Sequence, residues 1–188
     1  MVMERDLTWK KLDSYYLYQK NWLNIRVDTC EKPDGQIVSP YYVYEFSDWV
    51  SAVAITKNNQ IVLERQYRHA LQHTGLELPG GCVDDTDTDK EMAIARELLE
   101  ETGYRFEQYE FLGVSSSNPS TNSNLMYMYL ATGGEKIQEP MLDPGEDIEV
   151  QLVSMDEFLQ LFRNNAFIQS MHVHTIVKAL EKLGKIHY

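Results

Sequence analysis

The 188-residue chain is poor in cysteine, poor in positive charge and free of long apolar runs. Its two cysteines, Cys30 and Cys82, stand 52 positions apart. That is too few for a disulfide scaffold and the wrong spacing for a CxxC metal knuckle. Both read as reduced thiols of a cytoplasmic protein. Lys and Arg number 17 against 29 Asp and Glu, a net charge of −12. This balance argues against a partner with a nucleic-acid backbone, which calls for a basic surface. Small anionic substrates remain open, because a bound divalent cation inverts the local field. No run approaches the ~18 apolar residues of a membrane span. The opening residues Met1-Val2-Met3-Glu4-Arg5-Asp6 carry no apolar leader, so a cytoplasmic location with no membrane partner is expected.

What is present suits a soluble globular protein: 43% hydrophobic and 24% charged residues. A chain of this length buries about 70% of the surface its unfolded form exposes, so its core needs no staple. The first 68 residues read as strands, from their β-branched and aromatic content. Trp9 to Val27 is strand-rich, with Asn21 and Asn24 interrupting it, and Glu31-Lys32-Pro33-Asp34-Gly35 is a turn. Strands are expected over 37–46, then over 49–56 and 61–67 as a hairpin. From Thr88 the period changes. Met92, Ala95 and Leu99 recur at helical spacing, Thr88-Asp89-Lys90-Glu91 reads as a capping box with Thr88 as N-cap, and Gly103 supplies the stop. Strands around 109–114, 124–131 and 148–153 follow, then helices over 155–163 and 172–183. His172 and His174, two apart at the start of the last helix, do not face each other and read as capping or surface residues. Alternating strands and helices give an α/β or α+β class with a mixed sheet.

Acid is concentrated. Residues 84–101 hold eight carboxylates and residues 135–149 hold six, fourteen of the 29 in two short segments. If folding brings these segments together, they make a site for a hard cation. Glu97, Glu100 and Glu101 are spaced i, i+3, i+4, on one side of a helix, and three like charges there repel unless something offsets them. Arg96 stands four residues before Glu100 and can orient it. A solvated acidic helix face is the plain alternative. An EF-hand starting at Asp85 fails, because Lys90 and Arg96 occupy the positions that would need Gly and Glu.

The segment Leu78-Pro79-Gly80-Gly81-Cys82-Val83, followed by Arg96-Glu97-Leu98-Leu99-Glu100-Glu101-Thr102-Gly103-Tyr104, resembles the Nudix box, G-x5-E-x7-R-E-U-x-E-E-x-G-U, with U a bulky apolar residue. The second half matches at every specified position, and the leading glycine falls at Gly81. The path from Gly81 to Arg96 is one residue longer than the family's, and the glutamate between them is missing. Asp87 stands at x5 from Gly81. The extra residue is expected within Asp84–Asp87, with the Thr88 cap supporting the helix start. Glu64-Arg65-Gln66-Tyr67-Arg68-His69, then Glu77-Leu78-Pro79-Gly80-Gly81, is similar to the R-Q-Y-R…E-L-P-A-G segment of ADP-ribose pyrophosphatases. The later stretch Asp143-Pro144-Gly145-Glu146-Asp147-Ile148-Glu149-Val150 also matches that branch in pattern. Asn118-Pro119-Ser120-Thr121-Asn122-Ser123-Asn124 departs from the branch's S-P-G-x-S-x-E, with Asn124 in place of the carboxylate and Ser120 in place of the glycine.

The resemblance implies an α/β/α sandwich with a mixed β-sheet over 48–188, and a small N-terminal antiparallel β-sheet over 1–47 that pairs with a twin subunit in a homodimer. Tyr15, Tyr16, Tyr18, Trp22, Tyr41, Tyr42, Tyr44 and Trp49 would then fill the core or the interface. It implies a Mg²⁺-dependent pyrophosphohydrolase, with Mn²⁺ as an alternative ion. Its substrate would be a nucleoside diphosphate-linked small molecule, ADP-ribose or a nucleotide sugar, cut to a nucleoside monophosphate and a sugar phosphate. Glu97, Glu100, Glu101 and the carbonyl of Gly80 would ligate the metal. Glu146 is the first choice for the base and Glu97 the second. Arg65 and Arg68 would contact phosphate, Glu77 would be an outer metal contact or a strand-end partner, and Asn124 would touch substrate or hold its loop. Gly81, Arg96 and Gly103 are the structural positions of the motif. The rival reading is a nucleotide-binding sensor that does not cleave its ligand, and the three-acid helix face favours the enzyme.

Overall fold

A computed structural model describes residues 4–20 and 22–186. By contacts the chain divides into two compact units, one formed by residues 1–47 with 118–124, the other by 48–117 with 125–188.

The first unit is an antiparallel meander of β1 (Lys10–Lys20), β2 (Leu23–Glu31) and β3 (Ile37–Glu45). Gly35, at φ 81°, closes the expected β2–β3 turn by donating to the Lys32 carbonyl. Asn24 does not interrupt a strand: it lies inside β2, opposite Glu45. Asn21 lies outside the described residues. β1 forms one edge of the sheet, every one of its side chains is exposed, and its register slips between Lys11 and Asp13 and between Tyr16 and Tyr18. The segment 118–124 is tied to β3 by Tyr44 N donating to Thr121 O (2.7 Å) and Ser123 N to Tyr44 O (3.1 Å).

The second unit is built on a mixed sheet of β4 (Trp49–Thr56), β5 (Gln60–Arg68), β6 (His73–Glu77), β7 (Tyr104–Arg105), β8 (Gln108–Ser115), β9 (Met126–Lys136) and β10 (Ile148–Ser154). Its path is β10-β5-β4-β9-β7, with β6 added to β5 and β8 to β9. Among the described residues of this sheet, β4 and β9 are the parallel pair and the other strand pairs are antiparallel. The period of two in β4 and β5 sorts their side chains into two cores. Val50, Ala52, Ala54 and Val62 pack with Ile94 and Leu98 of α1 (Lys90–Thr102). Val53, Ile61 and Leu63 pack with Phe158 of α2 (Met155–Arg163) and with Ile176 and Leu180 of α3 (Ser170–Lys182). The result is the expected α/β/α sandwich.

Two strands escape the sequence pattern. β6 reads His-Thr-Gly-Leu-Glu, with no alternation, and exists because it pairs with β5. β7 is two residues long, pairing with the end of β9. β9 begins at Met126 rather than Asn124 and runs five residues past Ala131, because Gly133 at φ 74° and Gly134 let the chain bend over Phe106.

Candidate active site

Helix α1 carries the site, and both its ends are fixed by local chemistry. Its N-cap is Asp89, not Thr88: Asp89 Oδ1 accepts the Met92 amide at 2.8 Å, while the Thr88 hydroxyl turns to the Met92 sulfur. Aspartate caps at least as well as threonine, and Asp89 is the residue held extended where the helix begins. At the other end Gly103 adopts φ 77° and donates to the Leu99 carbonyl. A Cβ there would stand 2.1 Å from the carbonyl oxygen of Gln138.

The glutamates divide by helix face. Glu97 and Glu101, one turn apart, are 8% and 6% exposed, on the side that packs on the sheet. Glu101 Oε2 accepts the Gly80 amide at 2.8 Å. The Glu97 carboxyl lies against Gly81, where a Cβ would come within 2.7 Å of it. Gly80 itself sits at φ 142°, pressed so close to β4 that a Cβ would stand 2.2 Å from Val50 O. The two glycines are therefore required by close approach, to the carboxylate and to the sheet. Glu100 stays at the rim, its Oε2 2.9 Å from Arg96 Nη1.

Arg96 ties the preceding loop to this helix. Its Nε and Nη2 grip Asp87 at 3.0 and 2.9 Å, Nη2 also donates to Cys82 O at 3.0 Å, and Nη1 pairs with Glu97 and Glu100. The Asp87 side chain is 2% exposed and also accepts the Asp84 amide at 2.8 Å. Asp87, not a Thr88 cap, thus supports the loop and helix start. The signal was in the spacing, since Asp87 stands at x5 from Gly81 and aspartate offers the same two oxygens as glutamate.

The sheet adds a carboxylate that sequence reasoning did not place, Glu64, next to Glu77, which it did. Glu64 on β5 has the parity of Val62, so it faces α1; it is 3% exposed and stands opposite Glu77 of β6. Glu64 and Glu101 share a hydrogen bond, and Glu64 Oε1 is buried with no partner. Glu77, also buried, is clasped by Arg68, Nε to Oε1 at 2.9 Å and Nη2 to Oε2 at 2.6 Å. Arg65 has the opposite parity and pairs instead with Glu149 of β10 at 3.0 Å, both side chains half exposed. Strand geometry therefore brings Arg68, but not Arg65, to the Glu64 and Glu77 side. His172 is neither cap nor surface. It is buried, with Nδ1 accepting the Leu78 amide at 3.3 Å.

This much buried acid is costly, and the proton affinities show it. Burial pushes the Glu97 carboxyl up to about 7, against the pull of Arg96. Glu101 lies well above the ordinary carboxylate range, first through burial and then through the charges of Glu64 and Glu97. Burial lifts Glu64 to about 8. Glu146, half-buried in the loop before β10, adds its charge to all three and accepts the Asp143 amide at 3.0 Å. Asn124 belongs to the first unit, where it donates to the Ser47 carbonyl at 3.1 Å.

Oxygen donors in excess of cations, one of them unpartnered, match the donor set of a hard divalent ion. Among the described residues no three acidic, histidine or cysteine side chains already converge on one ion-sized point. The donors fit such an ion in kind.

The comparisons agree with this chemistry. The NUDIX domain family matches residues 47–172, and the family described as nucleoside diphosphate sugar hydrolase N-terminal domain matches residues 9–44. The chain is 30% identical over 165 residues to the methanol dehydrogenase activator of Bacillus methanolicus, covering 87% of this chain and 88% of that protein. It is 23% identical over 173 residues to the ADP-ribose pyrophosphatase of Bacillus subtilis (strain 168), covering 92% of each. To the ADP-ribose pyrophosphatase of Mycobacterium tuberculosis it is 32% identical over 116 residues, 62% of this chain and 56% of that one. A crystal structure of an ADP compounds hydrolase superposes with a TM-score of 0.78 at 18% identity, over 97% of this chain and 100% of that one, a likeness of fold.

Proposed function

The chain belongs to the Nudix hydrolase family, and we propose that it is a Mg²⁺-dependent pyrophosphohydrolase cutting ADP-ribose or a nucleotide sugar to a nucleoside monophosphate and a sugar phosphate. The observation that carries this is the pair of buried glutamates on α1, Glu97 and Glu101, facing the Gly80–Gly81 turn with Glu100 at the rim. A sensor that only binds its ligand has no use for such a charged, buried face, so the enzymatic reading stands above the sensor reading.

Glu97, Glu100, Glu101 and the Gly80 carbonyl would hold the metal, Mg²⁺ first and Mn²⁺ as a substitute. When bound, such an ion would offset the diphosphate's charge, polarise phosphorus and make the attacking water more acidic. The chain's own groups do the rest. Arg96, fixed by Asp87 and Cys82 O, keeps Glu97 and Glu100 oriented. Gly81 leaves room for the Glu97 carboxyl, and Gly103 ends the helix against Gln138. Arg68, held in place by Glu77, presents its guanidinium edge to a phosphate; Arg65 is a contact farther out. A water oxygen bonds to one phosphorus, the bridging P–O bond breaks, and the leaving phosphate departs with the bridging oxygen. Glu146 takes the water's proton, with Glu97, at about 7, as the second choice. Asn124 holds its loop or meets the substrate. The aromatic-rich first unit forms the contact of a homodimer working in the cytoplasm.

Product analysis with ADP-ribose, UDP-glucose, GDP-mannose, NADH and nucleoside triphosphates tests the substrate class. Glu101→Gln should lower Mg²⁺-dependent turnover at least about 100-fold, roughly 3 kcal/mol in the barrier, with the far-ultraviolet circular dichroism unchanged. Undiminished turnover would remove the site.

A further inference from the structure

We propose that Glu64, a strand residue outside the helix motif, is an additional carboxylate ligand of the divalent cation. The inference rests on the metal-binding reading of α1. It starts from the local sequence, Ile61-Val62-Leu63-Glu64, in which the three apolar residues are fully buried. Position 64 continues the Val62 side of the strand into the α1 core, where an apolar side chain would pack without penalty. A carboxylate there loses its water and needs compensation.

The protein supplies only part of it. Glu64 shares a hydrogen bond with Glu101, one acid leaning on another, and its Oε1 has no donor although it is buried. Arg68 is the nearest candidate cation, and both Nε and Nη2 of its guanidinium are engaged by the two oxygens of Glu77, directly across the β5–β6 ladder from Glu64. A purely structural acid would have found a donor among these neighbours. A buried carboxyl with an unpartnered oxygen, on the α1 side of the sheet where Glu97 and Glu101 are also buried, is the arrangement of a ligand whose ion is the missing partner. A hard ion with oxygen preference, Mg²⁺ or Mn²⁺, fits this donor. The site would then clamp strand β5 to helix α1 through the cation, which the α1 carboxylates alone do not do.

Mn²⁺ and Mg²⁺ titrations of the full-length wild type and Glu64→Gln, by calorimetry, test this, with thermal melts in chelator and in saturating metal. Glutamine keeps the shape and can still hydrogen-bond Glu101, so Glu101 stays supported. The expected result is a variant that melts higher than wild type in chelator, because the cost of burying an unpartnered acid is gone. It should gain less from metal and bind Mn²⁺ about tenfold more weakly or worse. Glu64→Leu should behave alike, which separates loss of a ligand from a fault of the amide. Equal Mn²⁺ affinity in wild type and both variants would overturn the role of Glu64 while leaving the α1 site intact. Absence of Mn²⁺ and Mg²⁺ binding by the wild type would instead overturn the reading on which the inference depends.

Discussion

Replacing His172 with asparagine should change how stability depends on pH, by an amount that follows from the position of the ring. His172 opens the last helix, is 5% exposed, and spends Nδ1 on the Leu78 amide. Burial pushes its proton affinity down to about 4, with the charge of Glu77 opposing and that of Arg68 assisting. In the unfolded chain the same ring titrates near 6.5. Above that pH it is neutral in both states and contributes no pH dependence. As pH falls from 6.5 towards 4, the unfolded chain takes up a proton that the folded ring refuses, so stability is lost over that window. The full loss is about 3 kcal/mol, of which about 2 kcal/mol is reached by pH 5. Glu64 and Glu97, raised by burial, act in the opposite sense: the stability tied to their protonated forms is lost as pH rises from about 4.5 towards 7 and 8. The pH curve of the wild type alone therefore mixes both. The difference between wild type and His172→Asn isolates the ring, because every other titrating group is common to the two. Asparagine preserves an acceptor for Leu78 but leaves a gap, so the variant should be less stable at pH 7. Urea unfolding in chelator at pH 7, 6 and 5 should show that deficit shrinking by about 2 kcal/mol on the way down. A deficit independent of pH would refute the assignment of a neutral, buried ring.

Two further outcomes check the frame around the site. Asp87→Ala removes both oxygens that fix Arg96 and the acceptor of the Asp84 amide; it should cost about 2–4 kcal/mol in urea unfolding and lower turnover as Arg96 loses its anchor, and a cost below about 0.5 kcal/mol would show that the loop does not depend on this pair. Gly103→Ala must hold a left-handed backbone and push a Cβ against Gln138 O; a loss of about 2 kcal/mol or more is expected, read as a lower melting temperature, and an unchanged melt would show that the helix end relaxes freely.

Much of this frame could be read from residue order. The helix with its three glutamates, the glycine stop and the strands of the central hairpin each carry a local pattern strong enough to survive folding. What escaped depends on pairing across the chain. β6 has no alternation of its own, so nothing local announced that Glu77 would face Glu64 and clasp Arg68. His172 looked like a helix-start residue until α3 packed it against Leu78. The split between Arg65 and Arg68 was legible in principle: residues three apart on a strand point to opposite faces, and the run Ile61 to Leu63 fixes which face is which. The cap went to Asp89 because two neighbouring residues could both do the job, a choice that sequence alone ranks only weakly.

Strand β1 has a consequence of its own. An eleven-residue border strand with every side chain in the open offers a long template for any passing extended chain. Two register slips break the regularity that such a stranger would have to copy, and Lys10, Lys11 and Lys20 set like charges at its ends. These are ordinary guards against uncontrolled fibre growth, and they mean that straightening those slips, or trading the lysines for aliphatic residues, would endanger solubility before it touched chemistry.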